Sequence, residues 1–343
     1  MAAMPAPPPF DLSDPEWYAH RHVESQDAFR FVHLPRGDHR TISFLSDDCL
    51  GDRGPTRDVA ANDCLAALGP GRLHFLFHSA FCGSTLLTRA LDHPGAAMGL
   101  SEPVLLNDVT GFRLRGAAPA PVARAADISL RLLARPFGPG EAVVVKPSNL
   151  VNPMAELFLA LQGDARAVFL HAPLETFLIS VVRKGLPCRL WVRELLEKYL
   201  KMGYVQLGFE PGDHFRQTDL QVAAVGWLAQ HAHFARLAQK LGPARIATLD
   251  ADRMTQDPAA ALAAVVRHYG LDLDAPAIAG IVAGPVFGQH SKSGQAFTAS
   301  QRSAEYAQAR AALGDEIDLV LDWARQVAET AGVALDPPNP LLG

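Results

Sequence analysis

The stretch Arg72–Asp92, RLHFLFHSAFCGSTLLTRALD, decides the fold. Leu73 to Phe77 is a short apolar run of the kind that forms a buried strand, and it is followed by a loop of small residues and then an apolar-periodic helix. Such a junction gathers several backbone N–H groups and the positive end of a helix dipole around one point, which is how a protein holds a phosphate without a basic surface. The anion would sit over Cys82 to Thr85. Gly83 lets the backbone approach closely, while Ser84 and Thr85 add hydroxyl donors. The same residues also suit a capped helix after a buried strand, with no ligand involved.

Outward from this stretch, short apolar runs alternate with longer segments of helical period. Ala142 to Val145, Ala167 to Leu170 and Arg245 to Leu249 repeat the strand pattern, and each is short enough for a parallel strand covered on both faces. Leu190 to Met202, Leu220 to Leu241 and Pro258 to Tyr269 read as helices. The last of these has Asp257 as N-cap, proline in its first turn and Gly270 closing it. A further amphipathic helix covers about Gln301 to Ala331. The alternation predicts an α/β fold, a three-layer αβα arrangement around a mostly parallel central sheet.

The N-terminal part differs. FRFVHLPRGDHRTISFL, Phe29 to Leu45, alternates apolar and polar residues on both sides of Pro35 to Asp38, which predicts a hairpin turning there and a small β-containing section. Residues 1–70 are therefore expected to form an N-terminal tail and this section, 71–335 the α/β domain, and 336–343 an irregular tail.

The chain has 343 residues, 49% hydrophobic and 20% charged, enough apolar content for a sizeable core and against disorder as the main state. Lysine and arginine total 31 against 36 aspartate and glutamate, a net charge of −5. No overall field favours nucleic acid or an anionic membrane, so any phosphate site must be local. Cys49, Cys64, Cys82 and Cys188 are too few and scattered for a disulfide framework. The N-terminus shows no basic and apolar leader pattern, and no long apolar run occurs; the expectation is a cytoplasmic protein that does not engage a membrane.

Against the ATP-type loop G-x-x-x-x-G-K-[ST], the window His78 to Thr85 has His78 at the first glycine and Ser84 at the lysine. The segment Ala80-Phe81-Cys82-Gly83-Ser84-Thr85-Leu86-Leu87 instead resembles the 5′-phosphosulfate loop of sulfotransferases that use 3′-phosphoadenosine-5′-phosphosulfate, with strand, P-[KR]-S-G-[TS]-T, helix. Phe81 stands at the family's basic residue and Cys82 at its serine. Further blocks follow in order. Leu100-Ser101-Glu102-Pro103 matches an E-P pair on the acceptor side, and Val145-Lys146-Pro147-Ser148-Asn149 with Asp164 to His171 resembles the K-x-P, helix, strand succession. His171-Ala172-Pro173-Leu174-Glu175 through Ser180 and Arg183 resembles the 3′-phosphate segment, with His171 in place of its arginine. A late polar loop, Gln289 to Gly294, carries His290 and Lys292 and is similar to loops lying over the nucleotide in bacterial members.

The resemblance spans roughly Leu73 to Arg302. It implies a P-loop-related, sulfotransferase-like fold and a 3′-phosphoadenosine-5′-phosphosulfate donor, with sulfuryl transfer to a hydroxyl or amine of a small-molecule acceptor. It implies a donor site made of Phe81, Cys82, Gly83, Ser84, Thr85, His171, Ser180, Arg183, Lys184, His290 and Lys292. Ser180 with Arg183 and Lys184 is spaced i,i+3 and i,i+4, so all three can face one anion. Glu102 or His78 would be the base, Lys146 would balance charge on the leaving group, and no metal is called for. A non-catalytic nucleotide-binding protein of the same fold and a divergent P-loop kinase remain as alternatives. His231 and His233 are two apart and form no i,i+4 metal pair; neither a G-x-S-x-G elbow nor a G-x-G-x-x-G fingerprint occurs.

Overall fold

The computed structural model describes residues 8–288 and 299–343. Among the described residues, eight strands form two sheets. β1 (Trp17–Val23), β2 (Ala28–His33) and β3 (Arg57–Ala60) make an antiparallel sheet in the order β1-β2-β3. β4 (Leu73–His78), β5 (Ala97–Ser101), β6 (Ala142–Lys146), β7 (Ala167–His171) and β8 (Ile246–Asp250) make the larger sheet, ordered β5-β6-β4-β7-β8. The recorded registers within it are parallel, and helices flank it, so the α/β expectation and the small N-terminal β section both hold.

The chain divides into two compact units. The first comprises the described residues up to Phe75 together with Leu91–Ala165. Its antiparallel sheet turns from β1 to β2 through Glu24–Gln26, closed by Asp27 at φ 45°. Phe29 and Phe31 are fully buried, and the helices Val104–Leu114 and Pro119–Leu133 pack against β1. β6 is buried at every position, which explains why AVVVK carries no polar alternation.

The hairpin expected over Phe29 to Leu45 is not formed. β2 ends at His33, Arg36–His39 is a short helix, and β2 pairs with β1 and β3 instead. The apolar residues after the turn serve a different contact: the Leu45 N–H donates to the Ser101 carbonyl and its own carbonyl accepts from Val104 N–H, at 2.8 and 3.0 Å. The segment is thereby docked at the end of β5, a strand that the sequence reading missed because Ala97, Gly99 and Ser101 dilute its β-propensity.

The second unit comprises Leu76–Ala90 and Arg166–Gly343. Its longest uninterrupted helix, Asp219–Leu241, begins with a capping box in which Thr218 and Gln221 satisfy each other's backbone N–H groups. Pro258–Tyr269 follows its sequence signature: the Asp257 carboxylate accepts from Ala260 N–H and Gly270 closes the helix at φ 67°. The terminal helix spans Ala299–Ala331 with a break at Leu313. The segment from Asp336, expected to be irregular, is tied along β8, where Thr248 N–H donates to the Asn339 carbonyl and Leu341 N–H to the Thr248 carbonyl. Among the described residues no helix is long and apolar enough to cross a membrane.

Candidate functional site

The loop after β4 is held open by strained backbone. Ala80, Phe81 and Gly83 have φ of 72°, 53° and 79°. A left-handed conformation in a non-glycine residue costs about 1 to 2 kcal/mol, so two of them side by side persist only where the surroundings impose them. Those surroundings are visible. Ser79 N–H donates to the Leu170 carbonyl at 3.1 Å, Ala172 N–H donates to Ser79 Oγ at 3.1 Å, and Ala80 N–H donates to His78 Nδ1 at 3.1 Å. The entrance of the loop is pinned to the end of β7, and His78 braces it from below.

Turns that contain left-handed residues can bring backbone N–H groups toward a common concavity. The helix Ser84–Leu91 then begins, and Leu87 N–H donating to the Gly83 carbonyl at 3.1 Å is a first-turn bond. The amides of Ser84 to Leu86 precede it and have no acceptor within the helix. Ser84 and Thr85 are buried beside them. At Gly83 the φ of 79° favours glycine, and a Cβ there would also displace the Met254 methyl, 2.8 Å away.

Phe81 forms the rim. Its ring lies 5.7 Å from Phe177 and edge-on to Trp191 at 5.6 Å, and Lys184 Nζ stands 5.3 Å from its centroid. Phe177 and Trp191 were not singled out from sequence, where aromatic residues at helical spacing look like core. The Ser180, Arg183 and Lys184 set is split. Ser180 Oγ donates to the Thr176 carbonyl at 2.9 Å and shares a 3.0 Å hydrogen bond with the hydroxyl of Tyr306, whose ring carries Arg183 at 5.6 Å. Lys184, at the end of the helix Leu174–Arg183, has its ammonium over Phe81. Tyr306, also missed, lies far along the chain on the terminal helix.

His171 ends β7 and is 5% exposed. It stacks on Phe169 at 5.7 Å and meets His231 edge-on at 5.0 Å; His231 in turn stacks on Trp227. Burial holds the His171 imidazole below its ordinary pKa, against the opposing pull of Asp250 and Asp336, so it is neutral at pH 7. His231, fully buried, is shifted the same way by desolvation and by His171. His290 and Lys292 lie outside the described residues.

In the first unit, the two residues expected to act separately form one ion pair. Lys146 Nζ donates to Glu102 Oε1 at 2.6 Å while Glu102 N–H donates to the Lys146 carbonyl at 2.7 Å. The Lys146 side chain is 0% exposed and that of Glu102 25%, and the Phe44 ring lies 4.9 Å from the ammonium. Glu102 has φ 51°, another non-glycine residue in the left-handed region. Nearby, Ser148 Oγ donates to Asn107 Oδ1 at 2.7 Å. Neither Phe44 nor Asn107 carries a sequence signal, since both depend on contacts from distant segments.

No protein-family profile and no curated protein sequence matches the chain. Among solved structures, it is similar to the sulfotransferase domain of the curacin biosynthetic pathway, at 14% identity and a TM-score of 0.44 over 78% of this chain and 100% of that one. It is similar to the sulfotransferase domain of the Synechococcus PCC 7002 olefin synthase at 14% identity and TM-score 0.41, over 78% and 96%. A sulfotransferase from Mycobacterium avium aligns at 13% identity and TM-score 0.42, over 73% and 79%.

Proposed function

We propose that this chain is a sulfotransferase-like enzyme that moves a sulfuryl group from 3′-phosphoadenosine-5′-phosphosulfate to a hydroxyl or amine of a small acceptor. The observation that carries this reading is the left-handed backbone of Ala80, Phe81 and Gly83 leading into the helix at Ser84. Strain of this kind clusters where a backbone surface is kept ready for an anion. The amides of Ser84 to Leu86, the hydroxyls of Ser84 and Thr85 and the helix dipole would bind the 5′-phosphosulfate. Cys82 shapes the loop. Ser180 and Arg183, with Lys292 and His290, would serve the 3′-phosphate.

Glu102 takes the acceptor's proton as the acceptor oxygen or nitrogen bonds to sulfur and the bridging S–O bond breaks, releasing 3′-phosphoadenosine 5′-phosphate. Lys146 holds the carboxylate in place. Such transfer depends on positioning and charge stabilisation more than on covalent chemistry. His78 serves better as a brace than as a base, because its Nδ1 accepts the Ala80 N–H. The neutral His171, at the position of the family's arginine, favours a second reading, a nucleotide-binding protein without turnover. Calorimetry tests the donor site: the chain should bind 3′-phosphoadenosine 5′-phosphate at least about tenfold more tightly than AMP, one charge-assisted contact's worth. Equal affinities would remove the 3′ site.

A further inference from the structure

We infer that the acceptor carries an apolar body, an alkyl or aryl group, next to the hydroxyl or amine that receives the sulfuryl group, and that this body lies on the first two turns of the helix Gly185–Lys201 beside the loop. This rests on the sulfotransferase reading and names the substrate class for it. The helix buries Cys188, Val192, Leu195, Leu196 and Tyr199 along one side, the stripe expected of a helix packed on a core. Its outward side should then be polar, and over half its length it is not.

At about 100° per residue, Leu186, Leu190, Pro187 and Trp191 fall within one arc of about 140° on the outward side. Leu186 and Leu190 are 64% and 52% exposed, Pro187 is exposed and Trp191 half-exposed. Two turns further on, the same arc carries Glu194, Glu197, Lys198 and Lys201, and Lys201 Nζ donates to Glu197 Oε1 at 2.6 Å. One face of one helix therefore changes from apolar to charged halfway along. Among the described residues, Leu186 and Leu190 are the only exposed large apolar side chains that stand one turn apart on a helix. Isolated exposed leucines are ordinary, whereas a contiguous patch marks a surface that something covers.

The patch is continuous with the anion loop, and that continuity identifies its occupant. The Trp191 ring meets the Phe81 ring edge-on at 5.6 Å, and Phe81 also lies 5.7 Å from Phe177. Phe81 is itself a residue of the loop, held at φ 53° in the left-handed region that bulky residues rarely adopt. Its backbone belongs to the surface for the sulfuryl donor and its ring to the apolar patch. A molecule that covers the patch therefore meets the loop, and the transfer needs a second substrate there. Apart from one indole N–H, the patch offers no hydrogen-bond partner, so the part of the acceptor resting on it is hydrocarbon. An acceptor covered in hydroxyls, such as a free sugar, would leave polar groups buried and unpaired on it.

The test uses the product class of such a reaction: butyl, hexyl and octyl sulfate, titrated into the full chain by calorimetry beside 3′-phosphoadenosine 5′-phosphate. The sulfate would seat at the loop and the alkyl chain on the patch. Affinity should rise by about two- to fourfold per methylene, the upper value being complete burial of each. Leu186→Ser combined with Leu190→Ser should flatten that rise while the affinity for 3′-phosphoadenosine 5′-phosphate stays at the wild-type value. Both positions are exposed, so the variant should fold; should it not, Leu190→Ser alone should still reduce the slope. Affinity independent of chain length, or a slope that the serine variants leave unchanged, would overturn the inference. So would a loss of nucleotide affinity in the double variant, which would give the face to the nucleotide, or a wild-type dimer that the double variant dissociates in analytical ultracentrifugation, which would give it to a second copy. Wild type that binds the nucleotide but no alkyl sulfate overturns the inference alone, whereas wild type that fails to bind the nucleotide overturns the functional reading on which it rests.

Discussion

Two positions in the second unit, 81 and 171, hold an aromatic ring where the sulfotransferase pattern has a cation, and their surroundings give the two rings opposite electrostatic outcomes. Phe81 lies on a rim next to a helix end, and Lys184 brings an ammonium to its face. His171 is inside, stacked on Phe169 and edge-on to His231, and burial keeps it neutral although Asp250 and Asp336 pull the other way. Position in the fold decides whether a ring meets a cation. A half-exposed ring can carry a solvated cation at little desolvation cost, whereas a buried imidazole titrates to its neutral form.

The strongest way to break the contrast is to remove the backbone surface that both positions flank. Gly83→Val adds a branched side chain at φ 79° and drives it into Met254. Nucleotide affinity should fall by more than about 100-fold while the fold, strained by only about 1 to 2 kcal/mol, survives with a melting temperature a few degrees lower. Titration calorimetry and a melting curve read the two effects. Unchanged binding would reduce the loop to a helix cap.

A third position sharpens the comparison, because Lys146 is as buried as His171 yet has a carboxylate at 2.6 Å. If Glu102 is the base, Glu102→Gln should lower turnover by about 10²- to 10⁴-fold, the usual share of a general base, with donor affinity retained. A fall in donor affinity instead, read by the same calorimetry, would move the pair to the donor side.

A smaller effect concerns the buried histidines. His39, between Tyr18 and Phe137 in the first unit, is pushed down to about 3 by burial, and His20, His22, His171 and His231 are shifted the same way, chiefly by desolvation. A depressed folded-state pKa means that the unfolded chain binds more protons once pH falls below about 6.5. Stability is therefore full above that pH and declines below it; His39 alone costs about 2 kcal/mol at pH 5. Melting temperatures from pH 8 to 5 should be flat and then fall, and His39→Phe should shallow the fall. A flat profile down to pH 5 would contradict neutral burial.

The least change is expected at position 171. His171→Phe keeps the aromatic column and removes only a neutral ring, so nucleotide affinity should stay within about threefold, less than 1 kcal/mol. A tenfold loss would give His171 a direct contact with the ligand and dissolve the distinction from Phe81.

The larger sheet was legible in the sequence where its strands are covered on both faces, since AVVV is an unbroken apolar run and LHFLF is broken only by His74, a pattern for a buried strand or helix. β5 escaped because Ala, Gly and Ser fill a strand buried by its neighbours rather than by its own bulk. The Phe29 to Leu45 hairpin misled for a related reason: alternation records which residues are buried, and Phe44 and Leu45 are used against Lys146 and β5, not against β2. The loop and its glycine could be read locally. Its aromatic neighbours could not, because Trp191 and Tyr306 come from helices whose packing no spacing rule records, and Glu102 with Lys146 looked like two roles until their side chains were seen to meet.

The central claim, that this chain transfers a sulfuryl group, is tested most directly with 3′-phosphoadenosine-5′-phosphosulfate labelled in its sulfate and a pooled metabolite extract as acceptor. The account predicts that wild type moves label into an acceptor product and that Gly83→Val does not. Wild type that binds 3′-phosphoadenosine 5′-phosphate yet leaves all label on the donor across a broad acceptor pool would contradict it and establish the binding protein in its place.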